Sequence, residues 1–302
     1  MLTGNLNIEI TTAGWTLRNN RRVQFDVARL DALHPVISGN KWFKLKYNLQ
    51  QAALQQKAGI LTMGGAFSNH LAATAFACRQ VGLQSAAIVR GEIIHPLNPT
   101  LTFCNEMGMQ LLPVPRSAFE ATSSTVAAIR QQYATYLFVS EGGSNEAGVT
   151  GSSEIADCIA GWQNYKHIVC AIGTGTTCKG LLQRLEPHQQ LWGIPVLRIP
   201  PNRQTAFLQS FGNAAAIQRF KPAFEFAGRG YGKADAALFE FMNAFYKTTG
   251  IPSDFVYTGK VFRAVVELFE TGRLKENERV LVLHTGGLQG NASLPAQTLC
   301  FG

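Results

Sequence analysis

Short apolar runs that end on glycine alternate with longer segments of helical character along most of this 302-residue chain, and that rhythm admits few folds. Gly59-Ile60-Leu61-Thr62-Met63 reads as a strand ending on Gly64-Gly65, and residues 69–81 follow as a small-residue helix. Gln84–Arg90 is the next strand, 100–107 a helix, Gln110–Val114 a strand and 119–133 a helix. Tyr136–Val139 is a strand that runs into Glu141-Gly142-Gly143. The rhythm restarts with a helix over 151–162, a buried strand over 167–172 and a helix opening at Thr177 or Cys178. A strand over 193–199, a less regular stretch over 200–231, helices over 234–248 and 259–271 and a last strand over 279–284 complete the reading. Strands joined through helices return in the same direction, so the pattern predicts an α/β protein with parallel-rich sheets and right-handed crossovers.

The length suits two domains. With 46% hydrophobic residues, 15% charged and 29 glycines, the chain has the composition of a compact protein rich in loops. The formal charge is +8, yet the densest basic group is Arg18, Arg21 and Arg22, in an expected loop. That patch is too small to predict nucleic-acid binding. The six cysteines show no Cys-x-x-Cys pair and no metal-ligand spacing, which suits reduced, buried thiols. No apolar run reaches the roughly 18 residues of a membrane span. Met1-Leu2-Thr3-Gly4-Asn5 lacks the pattern of a signal peptide. The expectation is a cytoplasmic protein with no membrane and no nucleic-acid partner.

Three expected strands end in glycine-rich turns, at Gly64-Gly65, at 173–177 and at Thr285-Gly286-Gly287. Ligands of open α/β sheets bind outside the carboxyl ends of the strands, so these turns could line one crevice. Gly173-Thr174-Gly175-Thr176-Thr177 has the make-up of a phosphate cradle, with glycines for close approach and hydroxyls as donors; a plain strand-to-helix turn is the alternative. It lacks Gly-Lys-Ser/Thr, so it is not a nucleoside-triphosphate loop. Ser68-Asn69-His70 opens a helix and could grip an anion, or simply cap the helix. Tyr257 is a candidate acid/base or stacking residue, and Thr285 a neutral hydrogen-bond partner. Ser38-Gly39-Asn40-Lys41 puts a lysine on a tight turn at the start of a helix. The helix dipole disfavours a cation there, and a neutral amine can attack an aldehyde cofactor.

Gly39-Asn40-Lys41 with Lys44-Leu45, Gly64-Gly65-Ala66-Phe67-Ser68-Asn69-His70, Gly173-Thr174-Gly175-Thr176, Tyr257-Thr258-Gly259-Lys260 and His284-Thr285-Gly286-Gly287 occur in one order. That order resembles the 1-aminocyclopropane-1-carboxylate (ACC) deaminase / D-cysteine desulfhydrase family, pyridoxal-phosphate enzymes of fold type II, the tryptophan synthase β group. The resemblance implies two three-layer domains, with residues 1–43 and 151–302 in a large cofactor-binding domain and 44–150 in a small one. It implies pyridoxal 5'-phosphate as cofactor and an amino acid as substrate. Lys41 matches the Schiff-base lysine, which also moves the substrate Cα proton. Asn69 matches the asparagine beside the cofactor's phenolic oxygen. Gly173, Thr174, Gly175 and Thr176 match the loop on the cofactor phosphate, and Thr285 matches the environment of the pyridine nitrogen. Ser68 and His70 match residues facing the substrate carboxylate or reacting group, and Tyr257 the active-site tyrosine.

Within that family, ACC deaminases carry Glu after the active-site Tyr and Leu in the His-x-Gly-Gly turn. Here those positions are Thr258 and Thr285, and His70 stands where Gln is the other choice, so the chain resembles the D-cysteine desulfhydrases more. The implied catalytic residues are Lys41, Ser68 and Tyr257; the implied substrate residues are Ser68, Asn69, His70, Tyr257 and Thr258. The implied reaction is elimination of D-cysteine to pyruvate, hydrogen sulfide and ammonia, with ACC ring-opening or another D-amino-acid deamination as the alternative. A homodimer is implied as well. One departure is that Trp42-Phe43 lacks the basic residue that the family places there. A different reading makes Ser68 a hydrolase nucleophile with His70 or His284 as base, but Gly65-Ala66-Phe67-Ser68-Asn69 is not Gly-x-Ser-x-Gly.

Overall fold

The structure, a computed structural model, describes residues 6–212, 214–228, 230 and 232–301. The leader reading of residues 1–5 and the end of the irregular stretch at Tyr231 lie outside the described residues. The chain opens with a hairpin of β1 (Ile10–Thr16) and β2 (Arg22–Ala28). It continues through α1 (Asn40–Leu54), β3 (Gly59–Gly65), α2 (Asn69–Gln80), β4 (Gln84–Arg90), α3 (Pro99–Glu106), β5 (Gln110–Val114), α4 (Ser124–Gln132) and β6 (Tyr136–Val139). The second half holds α5 (Glu146–Ser153), β7 (His167–Ile172), α6 (Thr176–Leu182), β8 (Gln190–Pro195), α7 (Pro201–Gln209), α8 (Ala214–Arg219), β9 (Phe220–Pro222), α9 (Ala236–Thr249), α10 (Thr258–Glu270) and β10 (Val280–Leu283).

The strands form two sheets. One has the order β5-β4-β3-β6 and is parallel throughout; the other has the order β1-β2-β10-β7-β8-β9 and is antiparallel only between β1 and β2. All six residues of β7 and all four of β10 are buried, as expected where both faces of a parallel sheet are covered. Successive residues of β7 join opposite cores. Val169 and Ala171 pack with Phe245, Phe262 and Phe269 of α9 and α10, whereas Ile168, Cys170 and Ile172 pack with Leu181 and Leu182 of α6. Phe43 is part of the second core and 1% exposed, so the position where the family carries a basic residue serves packing here.

Helix α1 packs against α5, where a Cβ on Gly151 would fall 1.9 Å from the carbonyl of Phe43; only glycine permits that approach. Asn48 and Asn145 tie the same helices by a side-chain hydrogen bond of 2.7 Å. This packing connects the end of the small sheet to the large one and fixes α1, which carries Lys41, between them.

Several sequence expectations shift. Residues 10–28 form a hairpin where no strand was expected; Val23, Phe25 and Val27 point inward and alternate with Arg22, Gln24 and Asp26. Arg18 and Arg21 lie in its turn and pair with Glu267 and Glu276. The helix expected over 119–133 begins only at Ser124, where the Ser123 hydroxyl accepts from the Val126 N–H at 3.2 Å. The helix expected over 151–162 is α5, shifted toward the N-terminus by its Asn145 cap, followed by two short 3-10 turns. The strand expected over 193–199 is Gln190–Pro195 and ends level with Ile172, the last residue of its partner β7. The irregular stretch over 200–231 contains α7, α8 and the edge strand β9. Among the described residues, no helix is long and apolar enough to cross a membrane.

Candidate active site

Lys41 is the second residue of α1, after a Gly39 with φ 68° and ψ −149°. That backbone region is reserved for glycine, and the absent side chain lets Gly39 press against the Thr285 carbonyl. The Asn40 N–H donates to the same carbonyl at 3.3 Å. The turn before Lys41 is thereby fixed against the turn after β10. The Lys41 amine donates to the Asn40 side-chain oxygen at 3.0 Å, and the Asn40 amide donates in turn to the Thr177 hydroxyl at 2.9 Å. A hydrogen-bonded chain thus runs from the amine to the first turn of α6.

The amine faces a cavity of about 110 Å³ lined also by Ser68, Asn69, His70, Gly173, Thr174 and Tyr257. An adjoining space of about 40 Å³ is lined by Lys41 together with Thr174, Gly175, Thr177 and Thr285. The glycine turns after β3, β7 and β10 therefore converge on one lysine, as the crevice reading expected. Burial holds the Lys41 amine well below the usual lysine range, and the nearby Lys44 charge pushes it further down. Lys44 is itself lowered to about 8, again by burial, while its amine donates to the Gly142 carbonyl at 3.3 Å.

Asn69 begins α2, and its Oδ1 is buried without a hydrogen-bond partner. Ser68 caps that helix, its hydroxyl accepting from the His70 N–H at 3.3 Å. The His70 ring is held by β3. Its Nε2 lies 2.9 Å from the Thr62 hydroxyl, whose proton goes to the Val139 carbonyl at 2.8 Å. The ring must therefore donate from Nε2, which leaves Nδ1 an acceptor, buried and without a partner. Burial, with Lys41 and Lys44 nearby, keeps this imidazole neutral by holding its pKa well below the usual range. The hydrolase reading finds no base here. The His284 ring is likewise engaged elsewhere, with the Pro252 carbonyl at 2.8 Å and with Asp31.

Thr174 and Thr176 share a hydroxyl–hydroxyl hydrogen bond of 2.9 Å across Gly175. Gly173 borders the Tyr257 ring, 3.4 Å from where its Cβ would stand. Thr258 departs from the substrate role expected for it. It is 1% exposed and lines neither cavity, and its hydroxyl donates to Asp254 Oδ1 at 2.7 Å while accepting from the Asp254 N–H at 2.8 Å. Asp254 also accepts from the N–H groups of Val256, Tyr257 and Thr258 at 3.0, 2.8 and 2.9 Å. Fully buried, it builds the turn that presents Tyr257.

Sequence reading passed over Asp254, Asn40, Arg90 and Glu141 as site residues. The last two line the same cavity as Lys41. Burial raises the Glu141 pKa, and the charge of Arg90 partly opposes that. Both stand at the carboxyl ends of β4 and β6, the strands that flank β3, and that position was the available signal.

The residues fit pyridoxal phosphate. A lysine of lowered basicity, an asparagine side chain and a glycine–threonine turn bordering the same space match an aldehyde, a phenolic oxygen and a phosphate.

Comparison with known proteins agrees. The family model described as "Pyridoxal-phosphate dependent enzyme" matches residues 21–286. The chain is 29% identical to a Thermotoga maritima protein named "Putative 1-aminocyclopropane-1-carboxylate deaminase", over 95% of this chain and 96% of that one. Its fold matches a solved ACC deaminase homologue with TM-score 0.77, 24% identity, and coverage of 94% of this chain and 90% of the other. It also matches a hydrogen sulfide-producing enzyme from Fusobacterium nucleatum with TM-score 0.66, 14% identity, and coverage of 96% and 97%.

Proposed function

The chain belongs to the family of pyridoxal-phosphate dependent enzymes, and from that premise we propose that it is a lyase converting D-cysteine and water into pyruvate, hydrogen sulfide and ammonia. The observation that carries this reading is the enclosed Lys41 amine, which borders the same cavity as Ser68, Asn69 and Tyr257 and whose neutral form burial favours. When bound, pyridoxal phosphate supplies an electron sink for the pair left at the substrate Cα.

The chain's own residues supply the rest. Lys41 would hold the cofactor, take the Cα proton once the substrate's amine has displaced it, and pass that proton to the sulfur that leaves Cβ as sulfide, which returns the amine to its neutral form. Asn69 offers its side-chain amide group to the cofactor's phenolic oxygen, and the turn from Gly173 to Thr176 offers backbone N–H groups and hydroxyls to the phosphate. Ser68 and the start of α2 would meet the substrate's carboxylate, and Tyr257, which lines the same cavity, would act beside its reacting carbons. Thr285, a neutral hydroxyl beside the adjoining space, supports an unprotonated ring nitrogen and so elimination. Thr258 supports the reading only indirectly, because a glutamate there would lie beside the buried Asp254 carboxylate.

ACC ring-opening to 2-oxobutanoate and ammonia is the second reading, favoured by the name of the Thermotoga maritima relative. We further propose the division into residues 1–43 with 151–302 and residues 44–150, and a cytoplasmic homodimer as the working assembly. A substrate panel of D-cysteine, ACC, D-serine and β-chloro-D-alanine tests the function. Sulfide and pyruvate from D-cysteine, at a kcat/KM well above that for ACC, support the first reading; 2-oxobutanoate from ACC alone overturns it.

A further inference from the structure

We infer that Arg90 is a specificity-determining residue that pairs with the α-carboxylate of the amino-acid substrate. This rests on the lyase reading above and adds to it a residue that neither the sequence motifs nor the family match single out.

The geometry begins in the strand register. Arg90 is the last residue of β4 and lies directly across the ladder from Gly65, the last residue of β3. Its Nη2 sits 3.3 Å from where a Cβ on Gly65 would stand, so the guanidinium lies over the end of β3 in space that Gly65 leaves open. The Gly65 carbonyl accepts from the Ser68 N–H at 3.0 Å, which places the guanidinium beside the turn that opens α2. Arg90 and that turn line one cavity together with Lys41. The positive end of α2 and a guanidinium therefore address the same space, and both favour an anion.

Arg90 also lacks a counter-ion of its own. Among the described residues, no carboxylate lies within 4.0 Å of its guanidinium; the neighbour in contact is the face of Phe119, 5.3 Å from Cζ to the ring centre. Glu141 lies within electrostatic reach across the cavity but forms no ion pair with it. A half-buried cation without a partner is costly, and the guanidinium fork matches a carboxylate in two parallel hydrogen bonds. The α-carboxylate is the anion that every amino-acid substrate brings to this place.

Two non-reacting ligands of the holoenzyme separate the possibilities: D-alanine, and D-alaninamide, which replaces the carboxylate by a neutral amide. Each is titrated as a competitive inhibitor and by the change it makes in the cofactor's visible spectrum. The wild type should prefer D-alanine. Arg90→Gln should weaken D-alanine by about 10- to 100-fold while changing D-alaninamide little, so that the preference collapses. Arg90→Lys should recover part of it, and for a turned-over substrate the loss should fall on KM rather than kcat. Equal weakening of both ligands, or a preference kept in Arg90→Gln, overturns the inference while leaving the lyase reading intact. An effect seen with the side-chain carboxylate of D-aspartate but not with D-alanine overturns the α-carboxylate assignment. A wild-type holoprotein indifferent to both ligands overturns the lyase reading, and this inference with it.

Discussion

The carbonyl oxygen of Thr285 lies 1.9 Å from where a Cβ on Gly39 would stand, so the turn before Lys41 and the turn after β10 touch backbone to backbone. Two segments from opposite ends of the sheet-forming sequence, Gly39 before α1 and Thr285 after β10, thus set the position of one amine. Gly39→Ala must break that contact and also occupy a backbone region that only glycine populates. The variant should lose about 3 kcal/mol or more of stability in urea titration and release bound cofactor. An unchanged midpoint would show that the two turns are not coupled.

Lys44 makes stability depend on pH. Its pKa falls from 10.5 to about 8 because burial disfavours the charged amine. The unfolded chain then binds this proton at a higher pH than the folded one. Stability from this group is present above pH 10.5, is lost as pH falls toward 8, and changes no further below that. The loss amounts to about 3 kcal/mol. Lys44→Met should flatten the stability–pH curve between pH 8 and 10.5, checked by denaturant titration across that range; an identical curve in the variant would place the amine in contact with solvent.

Asp254 and Thr258 exchange hydrogen bonds through backbone and side chain and so hold the turn that carries Tyr257. Asp254→Ala should cost about 3 kcal/mol or more, since several buried donors lose their acceptor. Thr258→Val should cost about 1–2 kcal/mol and leave the ratio of kcat/KM for D-cysteine and ACC unchanged. A changed ratio would return Thr258 to the substrate role that its motif suggested.

Asn69 Oδ1 is buried and unpartnered beside the cavity. Asn69→Ala should weaken cofactor affinity by about tenfold, the worth of one hydrogen bond in an enclosed site, with little loss of fold stability. Equilibrium dialysis of the cofactor against the variant reads the difference.

Asn69 and the turn from Gly173 to Thr176 were legible because each follows an apolar strand that ends on glycine, and Lys41 because it follows a Gly-Asn turn at a helix start; such junctions are local in sequence. The parallel sheets were legible for the same reason. The hairpin over 10–28 was not recognised, although Val23, Phe25 and Val27 alternate with polar residues; the arginines of its turn masked the pattern as a basic loop. Thr258 was read as a substrate residue because its motif places it beside Tyr257, but the hydroxyl is taken by Asp254 four residues earlier. Arg90 stands at the carboxyl end of an expected strand, but its place beside the turn that opens α2 follows from the pairing with Gly65, a contact set by strand register rather than by sequence distance.

Every role proposed for the site depends on Lys41 being the covalent attachment point of pyridoxal phosphate. The most direct measurement is the visible absorption spectrum of the purified protein loaded with the cofactor, compared with that of Lys41→Ala after identical loading and gel filtration. The wild type should show a cofactor band that shifts when D-cysteine is added, and the variant should lack it. The same band in Lys41→Ala, or no band in the wild type, would contradict that attachment.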